Sequence, residues 1–253
     1  MEKIKTDRRE FVKYSTLGIL GTVLGAGIVF SPYARGHENR LRPPGAVAED
    51  KFLALCIKCG QCLQVCPYHA IELADLDKGY GEGTPYIDAN VRACYACTAV
   101  PCVLACPSGA LDHGTEKAED IDMGIAVLEF PDTCLAMKNE PVPEGYSDKM
   151  YAFTGSVRNS NELETNLLKK FDGYEGKACT LCADMCPIPN PLTAITMVRD
   201  TEGGKRPEIY DGCVGCGACQ EVCPTNKPSI VVKPRIIYEN IDASNTKGVT
   251  NDT

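Results

Sequence analysis

The twelve residues from Cys213 to Pro224, Cys-Val-Gly-Cys-Gly-Ala-Cys-Gln-Glu-Val-Cys-Pro, constrain this chain more than any other stretch. They read C-x2-C-x2-C-x3-C-P, the spacing with which bacterial sequences ligate iron–sulfur clusters. A cubane needs soft thiolate ligands from several directions, and two-residue spacers let one tight loop bend around three of its corners. Gly215 and Gly217 suit that loop, because glycine tolerates positive φ and a close approach of backbone to a ligand. Pro224 lacks an amide hydrogen and has a fixed φ, so it turns the chain away. Zinc, the competing thiolate chemistry, usually takes two C-x2-C pairs and stops at four ligands.

The motif recurs. The first run is Cys56, Cys59, Cys62 and Cys66, followed by Pro67. The second is Cys94, Cys97, Cys102 and Cys106, followed by Pro107, with a middle spacer of four that contains Pro101. Ala110-Leu111 follows Pro107 as Ala70-Ile71 follows Pro67, so one local unit repeats. The third run is interrupted: Cys134 stands alone, and Cys179, Cys182, Cys186 and Pro187 come later. First cysteines fall at 56, 94, 134 and 213, in steps of 38, 40 and 79. The interruption adds 42 positions, and its removal turns the last step into 37, a regular internal period. Cys134 is therefore read as a ligand, and all 16 cysteines are used, four per cluster.

That usage bears on folding. The chain has 253 residues, no tryptophan and only 7% aromatics, a thin apolar supply for its length. Metal clusters would hold the middle together, because their binding free energy is then folding free energy. The net charge is −8; with six basic and three acidic residues in positions 1–35, the remainder carries −11. An acidic body argues against nucleic acid as a partner and against a basic membrane-binding surface. His37, His69 and His113 occupy no ligand position and are read as structural or surface residues. The chain shows no nucleophile–base constellation, no phosphate-cradling loop and no nucleotide fingerprint. No catalytic residue is expected, and the legible chemistry is one-electron transfer.

Asp7-Arg8-Arg9-Glu10-Phe11-Val12-Lys13 resembles a twin-arginine export signal, and the apolar stretch Tyr14–Phe30 behind it carries four glycines and no charge. The competing reading is a membrane anchor. Seventeen residues make about 25 Å of helix, just short of a hydrocarbon core of roughly 30 Å. Cleavage is poorly marked, since Ala34 and Ala46-Val47-Ala48 are weak or distant matches, and an uncleaved signal would act as a tether. The twin-arginine route carries folded proteins, which suits cysteines already committed to metal before they reach a disulfide-forming compartment.

Residues 1–34 are thus the signal or anchor, and 35–48 a linker stiffened by Arg42-Pro43-Pro44-Gly45. Glu49–Leu55 reads as a short helix with Phe52 and Leu55 inward, Ala70–Leu73 as a strand, and Gly79–Pro85 as a loop. The cluster-bearing domain spans 49–232. Its insertion, 135–178, reads as a surface excursion with one helix, capped by Asn161 and Glu164, running through Leu163, Leu167, Leu168 and Phe171 and ended by Gly173. A sharper reading makes it a docking element for a redox partner. Ser229–Tyr238 reads as a last strand and arm, Glu239–Thr253 as a polar, disordered end, and 233–253 together as the C-terminal arm and tail.

Several segments narrow the family: the twin-arginine start, Leu41–Ala46, the four runs, Gly83-Thr84-Pro85-Tyr86, Pro107–Leu111 and Met123–Leu128. Together they resemble the NapG/MauM-type ferredoxins over roughly residues 1–135 and 176–232, and most of all the periplasmic ferredoxin-type component of nitrate reductase systems. The long insertion departs from the shorter third run of that family. The resemblance implies a periplasmic electron-transfer subunit with four 4Fe-4S clusters. It implies a membrane quinol-oxidising iron–sulfur partner (NapH-like) as donor, and a periplasmic cytochrome and molybdenum reductase as acceptor. Relatives of the methylamine-utilisation kind, or subunits of another molybdenum enzyme or a hydrogenase, are the alternative; a zinc-binding structural module is a distant one. The expected fold is α+β: two ferredoxin-like modules related by a pseudo-two-fold repeat. In two-cluster ferredoxins the fourth cysteine of a run ligates the other run's cluster. Spacing leaves sequential and nested pairing of the four runs open. Resemblance to four-cluster subunits of molybdenum oxidoreductases implies the nested one. Cys56, Cys59, Cys62 and Cys223 would then hold one cluster, and Cys213, Cys216, Cys219 and Cys66 its mate. Cys94, Cys97, Cys102 and Cys186 would hold a third, and Cys134, Cys179, Cys182 and Cys106 a fourth.

Overall fold

Each cysteine run closes on a single helical turn of four residues, with the run's third cysteine second in the turn and its fourth cysteine two residues past the end. The computed structural model describes residues 15–16, 21, 40–75, 81–156, 161–188, 193–199 and 203–235. Nearly all of the expected export segment and the tail beyond 235 lie outside them. In chain order the elements are α1 (Glu49–Leu55), α2 (Gln61–Gln64), β1 (Glu72–Leu73), β2 (Pro85–Tyr86), α3 (Pro101–Leu104), β3 (Gly124–Leu128), α4 (Leu135–Lys138), α5 (Tyr146–Ser156), α6 (Glu162–Phe171), α7 (Leu181–Asp184), β4 (Ile195–Arg199), β5 (Lys205–Ile209), α8 (Ala218–Glu221) and β6 (Ile230–Pro234). Short 3-10 turns lie at Ala118–Asp120 and Pro131–Thr133. The chain divides into two units. In the smaller, Met1–Glu38 with Ala74–Gly83, the Gly83 amide donates to the Ala74 carbonyl at 2.7 Å. The larger, Asn39–Leu73 with Thr84–Thr253, carries every cysteine.

The strands form three antiparallel two-stranded sheets, β1 with β2, β3 with β6 and β4 with β5. In β3 Gly124 and Ala126 turn inward while Ile125 and Val127 face solvent, the alternation of a one-sided ribbon. Two-stranded ribbons are marginal alone. These lie on a core in which buried cysteines pack among aliphatic and aromatic side chains such as Phe52, Leu111 and Phe171.

Three expectations change. The supposed linker is part of the body from residue 41 onward. Leu41 pairs with Ile87, Ala46 pairs with Leu111, and Leu41, Arg42, Pro43 and Pro44 are buried. Arg42 explains the burial: its guanidinium donates to Thr84 Oγ1 (3.0 Å), the Pro85 carbonyl (2.8 Å) and Glu49, and lies 4.6 Å from the centre of the Phe52 ring. Of α1, Phe52 is buried but Leu55 is exposed.

The insertion is no surface excursion. Its two ends are clamped together by Val142 with Lys177 and Gly176 with Val142, both 2.9 Å backbone bonds. That return brings Cys134 back to Cys179. Among the described residues the insertion holds α4, α5 and α6, and Tyr146, Met150, Leu167, Leu168 and Phe171 are all buried. Tyr146 donates to the Val222 carbonyl at 2.8 Å, and Asn161 Nδ2 donates to the Pro67 carbonyl, so the insertion touches both the fourth run and the first. Asn161 caps α6 as expected, accepting from the Glu164 amide at 3.0 Å. The inward face is shifted, however: Leu163 is half exposed and Glu164 is fully buried. Glu164 turns in because Arg92 and His69 wait there, at 3.8 and 3.3 Å.

Candidate metal centre

The loops before three of the four helical turns, those of the first, second and fourth runs, share an unusual backbone. Lys58, Ala96 and Gly215, each one residue before a second cysteine, all have positive φ. So do Gly60, Val100 and Gly217, each the N-cap of a turn. This left-handed path lets a loop wrap its cysteines inward, and a residue with a Cβ adopts it only under constraint. Gly215 needs to be glycine on a second ground, since a Cβ there would collide with the backbone of Gly124.

The sulfurs fall into four sets, and the sets are not the nested ones. Cys62 is pushed up to about 11 by burial, with Cys56, Cys59 and Cys106 adding like charge around it. Cys97, also about 11, and Cys102, about 12, are raised by burial and then by Cys66. Cys66 lines one cavity with Cys94, Cys97 and Cys102. Cys179 is raised to about 11 by burial and by Cys223 and Cys134; Cys182 is raised by burial and by Cys179, Cys134 and Cys223. Cys186 lines a second cavity with Cys213, Cys216 and Cys219. Cys216, about 12, is raised by burial and then by Cys186 and Cys213.

The first set is thus Cys56, Cys59, Cys62 and Cys106, and the second Cys94, Cys97, Cys102 and Cys66. The third is Cys134, Cys179, Cys182 and Cys223, and the fourth Cys213, Cys216, Cys219 and Cys186. This overturns the nested pairing: neighbouring runs exchange their fourth cysteines, Cys66 for Cys106 and Cys186 for Cys223. The physical reason is the packing of the turns. α2 packs on α3 and α7 on α8, and each fourth cysteine emerges past the end of its turn toward the partner run's loop.

The two pairs of sets meet at one junction. The Cys94 amide donates to the Cys216 carbonyl at 3.0 Å, and Cys94 and Gly217 form a parallel bridge. The sets therefore stand in the order first, second, fourth, third. A buried network fixes the junction. Glu221 accepts from Arg92 Nη1 (3.1 Å), the Ala93 amide (2.6 Å) and Tyr95 Oη (3.1 Å), and Gln220 donates to Asn90 at 2.9 Å. Burial raises the Glu221 carboxyl; Arg92, the amide and the phenol oppose the rise. Sequence reasoning missed Arg92, Glu164 and Glu221. The available signal was Glu221's place inside a cysteine run, where the loop leaves little room to reach solvent.

The donor chemistry fits iron–sulfur cubanes. All sixteen cysteines are free thiols. Four acidifiable sulfurs crowded into an apolar cavity raise one another's pKa, and a bound metal removes that cost by taking up the thiolates. Among the described residues, no three His, Cys, Asp or Glu side chains close on one ion. Tetrahedral zinc would draw its sulfurs to roughly 2.3 Å, whereas a cubane takes thiolates spread around a larger body. Amides already aim at the exchanged cysteines, Ala70 at Cys66 Sγ (3.3 Å) and Ser229 at Cys223 Sγ (3.4 Å), the kind of hydrogen bond that tunes cluster potentials. Of the histidines, His69 meets Glu164, His113 meets the Cys106 carbonyl at 3.0 Å, and His37 lies outside the described residues.

Comparison with known proteins points to the same iron–sulfur chemistry. Residues 55–110 match a family described as a 4Fe-4S dicluster domain, and residues 207–226 one described as a 4Fe-4S binding domain. The chain is 34% identical over 239 residues to the ferredoxin-type protein NapG of Escherichia coli, covering 92% of this chain and 87% of that one. It is 32% identical over 243 residues to the methylamine utilization ferredoxin-type protein MauM of Methylorubrum extorquens, covering 93% of each. NapG of Haemophilus influenzae is 30% identical over 241 residues, covering 91% of this chain and 73% of that one. No solved structure matches. The chain belongs to the NapG/MauM family of ferredoxin-type iron–sulfur electron-transfer proteins.

Proposed function

We propose that the protein carries four 4Fe-4S clusters, one in each cysteine set, and conducts electrons from a membrane quinol-oxidising iron–sulfur protein of the NapH kind toward a periplasmic cytochrome and molybdenum nitrate reductase. The observation that carries this reading is the exchange of Cys66 for Cys106 and of Cys186 for Cys223, which makes each set the direct neighbour of another. Cubanes held there would supply one-electron redox chemistry, relayed between neighbouring sets. The chain's own residues hold the sulfurs and lock the two pairs together through Arg92 and Glu221. No residue is assigned a catalytic role, in keeping with relatives named ferredoxin-type proteins. Export by the twin-arginine route, with the apolar segment retained as a tether, is part of the same reading.

A second reading has a specific observation behind it. MauM relatives cover this chain as fully as NapG does, so electron transfer in methylamine oxidation is the alternative. Deleting the gene separates the two. Loss of quinol-linked nitrate reduction, restored by the intact gene, supports the nitrate system; unchanged nitrate reduction with loss of growth on methylamine supports the other.

A further inference from the structure

We propose that the first cysteine set is the port through which electrons reach this protein, and that the apolar rim around it is the docking surface for the membrane-embedded donor. The proposal rests on the quinol-linked reading above. Four observations carry it. The first set stands at one end of the series, because only the second and fourth sets meet at the Cys94–Cys216 junction. Cys59 is the only exposed cysteine of the sixteen. The same segments expose large apolar side chains, Ile57 at 64%, Leu104 at 66% and Leu55 at 42%, with Lys58 and Gln61 as the polar residues beside them. The fourth is the reach of the chain. The body begins at Leu41 and is stapled there and at Val47, just before α1 leads into Cys56. Ten residues, 31–40, separate it from the end of the apolar stretch at Phe30 and extend to at most about 35 Å. With that stretch in the bilayer, the chain entering α1 is held within about that distance of the membrane.

Another opening toward thiols is a groove between α6 and the loops of Cys97 and Cys186. It reaches half-buried sulfurs in the middle of the series and is edged by Lys170 and Asp184 beside Val65 and Leu163, so it lacks the terminal position. Burial of an exposed apolar patch against a partner is the usual anchor of a protein interface. The electron balance is simple. Each quinol releases two electrons and two protons at the donor; the electrons cross singly, so two crossings at the first set account for one quinol. No bond forms or breaks in this chain.

The test uses membranes from cells that make the donor together with the full chain, either wild type or Ile57→Glu/Leu104→Glu. Both substituted side chains already face solvent, so the fold and iron content should be unchanged. Quinol is added, and reduction of the chain's clusters is followed by EPR on quenched samples. The expected result is quinol-driven reduction about tenfold slower in the variant, with dithionite reduction and reoxidation by the acceptor unaltered. Equal rates would overturn the port, as would a defect confined to reoxidation, which would assign the rim to the acceptor. Loss of the variant from membranes of donor-free cells would make the rim a lipid-binding surface and also overturn it. A wild-type chain that quinol never reduces would overturn the quinol-linked reading itself, a result distinct from the other three.

Discussion

Arg92→Met should cost the holoprotein about 3–5 kcal/mol, read as a lower denaturant midpoint under anaerobic conditions. Arg92 is 2% exposed and is the cation between two buried carboxylates, Glu221 at 3.1 Å and Glu164 at 3.8 Å. Removing it leaves those charges facing each other without compensation, which is why breaking a buried pair costs more than forming one gains. The Glu221 carboxyl is raised by burial even with Arg92 in place. A raised carboxyl means that the folded state binds the proton more readily than the unfolded one, so this group's contribution to stability falls as pH rises above the ordinary carboxylate value. The deficit of the variant should therefore shrink as pH is lowered, because a protonated Glu221 needs no cation. Arg92→Lys, which keeps the charge without the forked donor, should recover part of the loss. A variant as stable as the wild type at neutral pH would show that the network does not hold the junction.

Gly217→Ala should be the second large loss, roughly 2–4 kcal/mol, from two causes that a control separates. Gly217 has φ +88°, where an L-residue costs about 1–2 kcal/mol. A Cβ there would also lie 2.7 Å from the Ala89 Cβ, in a core too tight to yield without about 1–3 kcal/mol of overpacking. Gly60 caps the first run's turn at φ +72° with nothing within 4 Å of the added carbon. Gly60→Ala therefore carries the conformational cost alone. Thermal or denaturant unfolding of both variants reads the difference. Equal losses would mean that the Ala89–Gly217 contact adds nothing to the joining of the two pairs.

What was legible in the sequence was whatever spacing fixes locally. Cys134 was assigned correctly to the neighbourhood of Cys179 because the period of the runs survives removal of the insertion. The positive φ of Gly215 and Gly217 followed from the crowding of a three-cornered loop. The partners of Cys66, Cys106, Cys186 and Cys223 were not legible, because steps near 38 residues fit either pairing equally well. Which turns pack together decides it, and that is a long-range property. The insertion was misjudged for a related reason. Its charged helix α6 looks solvated until Arg92 and His69, many residues earlier in the chain, supply partners for Glu164. Arg42 likewise looks like a linker residue until Thr84, Pro85 and Phe52 surround it. Buried charges are invisible to patterning, since burial of a charge depends on a partner that the local sequence does not contain.

Four filled cysteine sets are the centre of this picture, and iron and acid-labile sulfide counted per chain in anaerobically purified protein test them most directly. About sixteen of each are expected, four for every set of thiols. Eight or fewer in an intact preparation would contradict it, because at least two of the four sets would then hold no cluster.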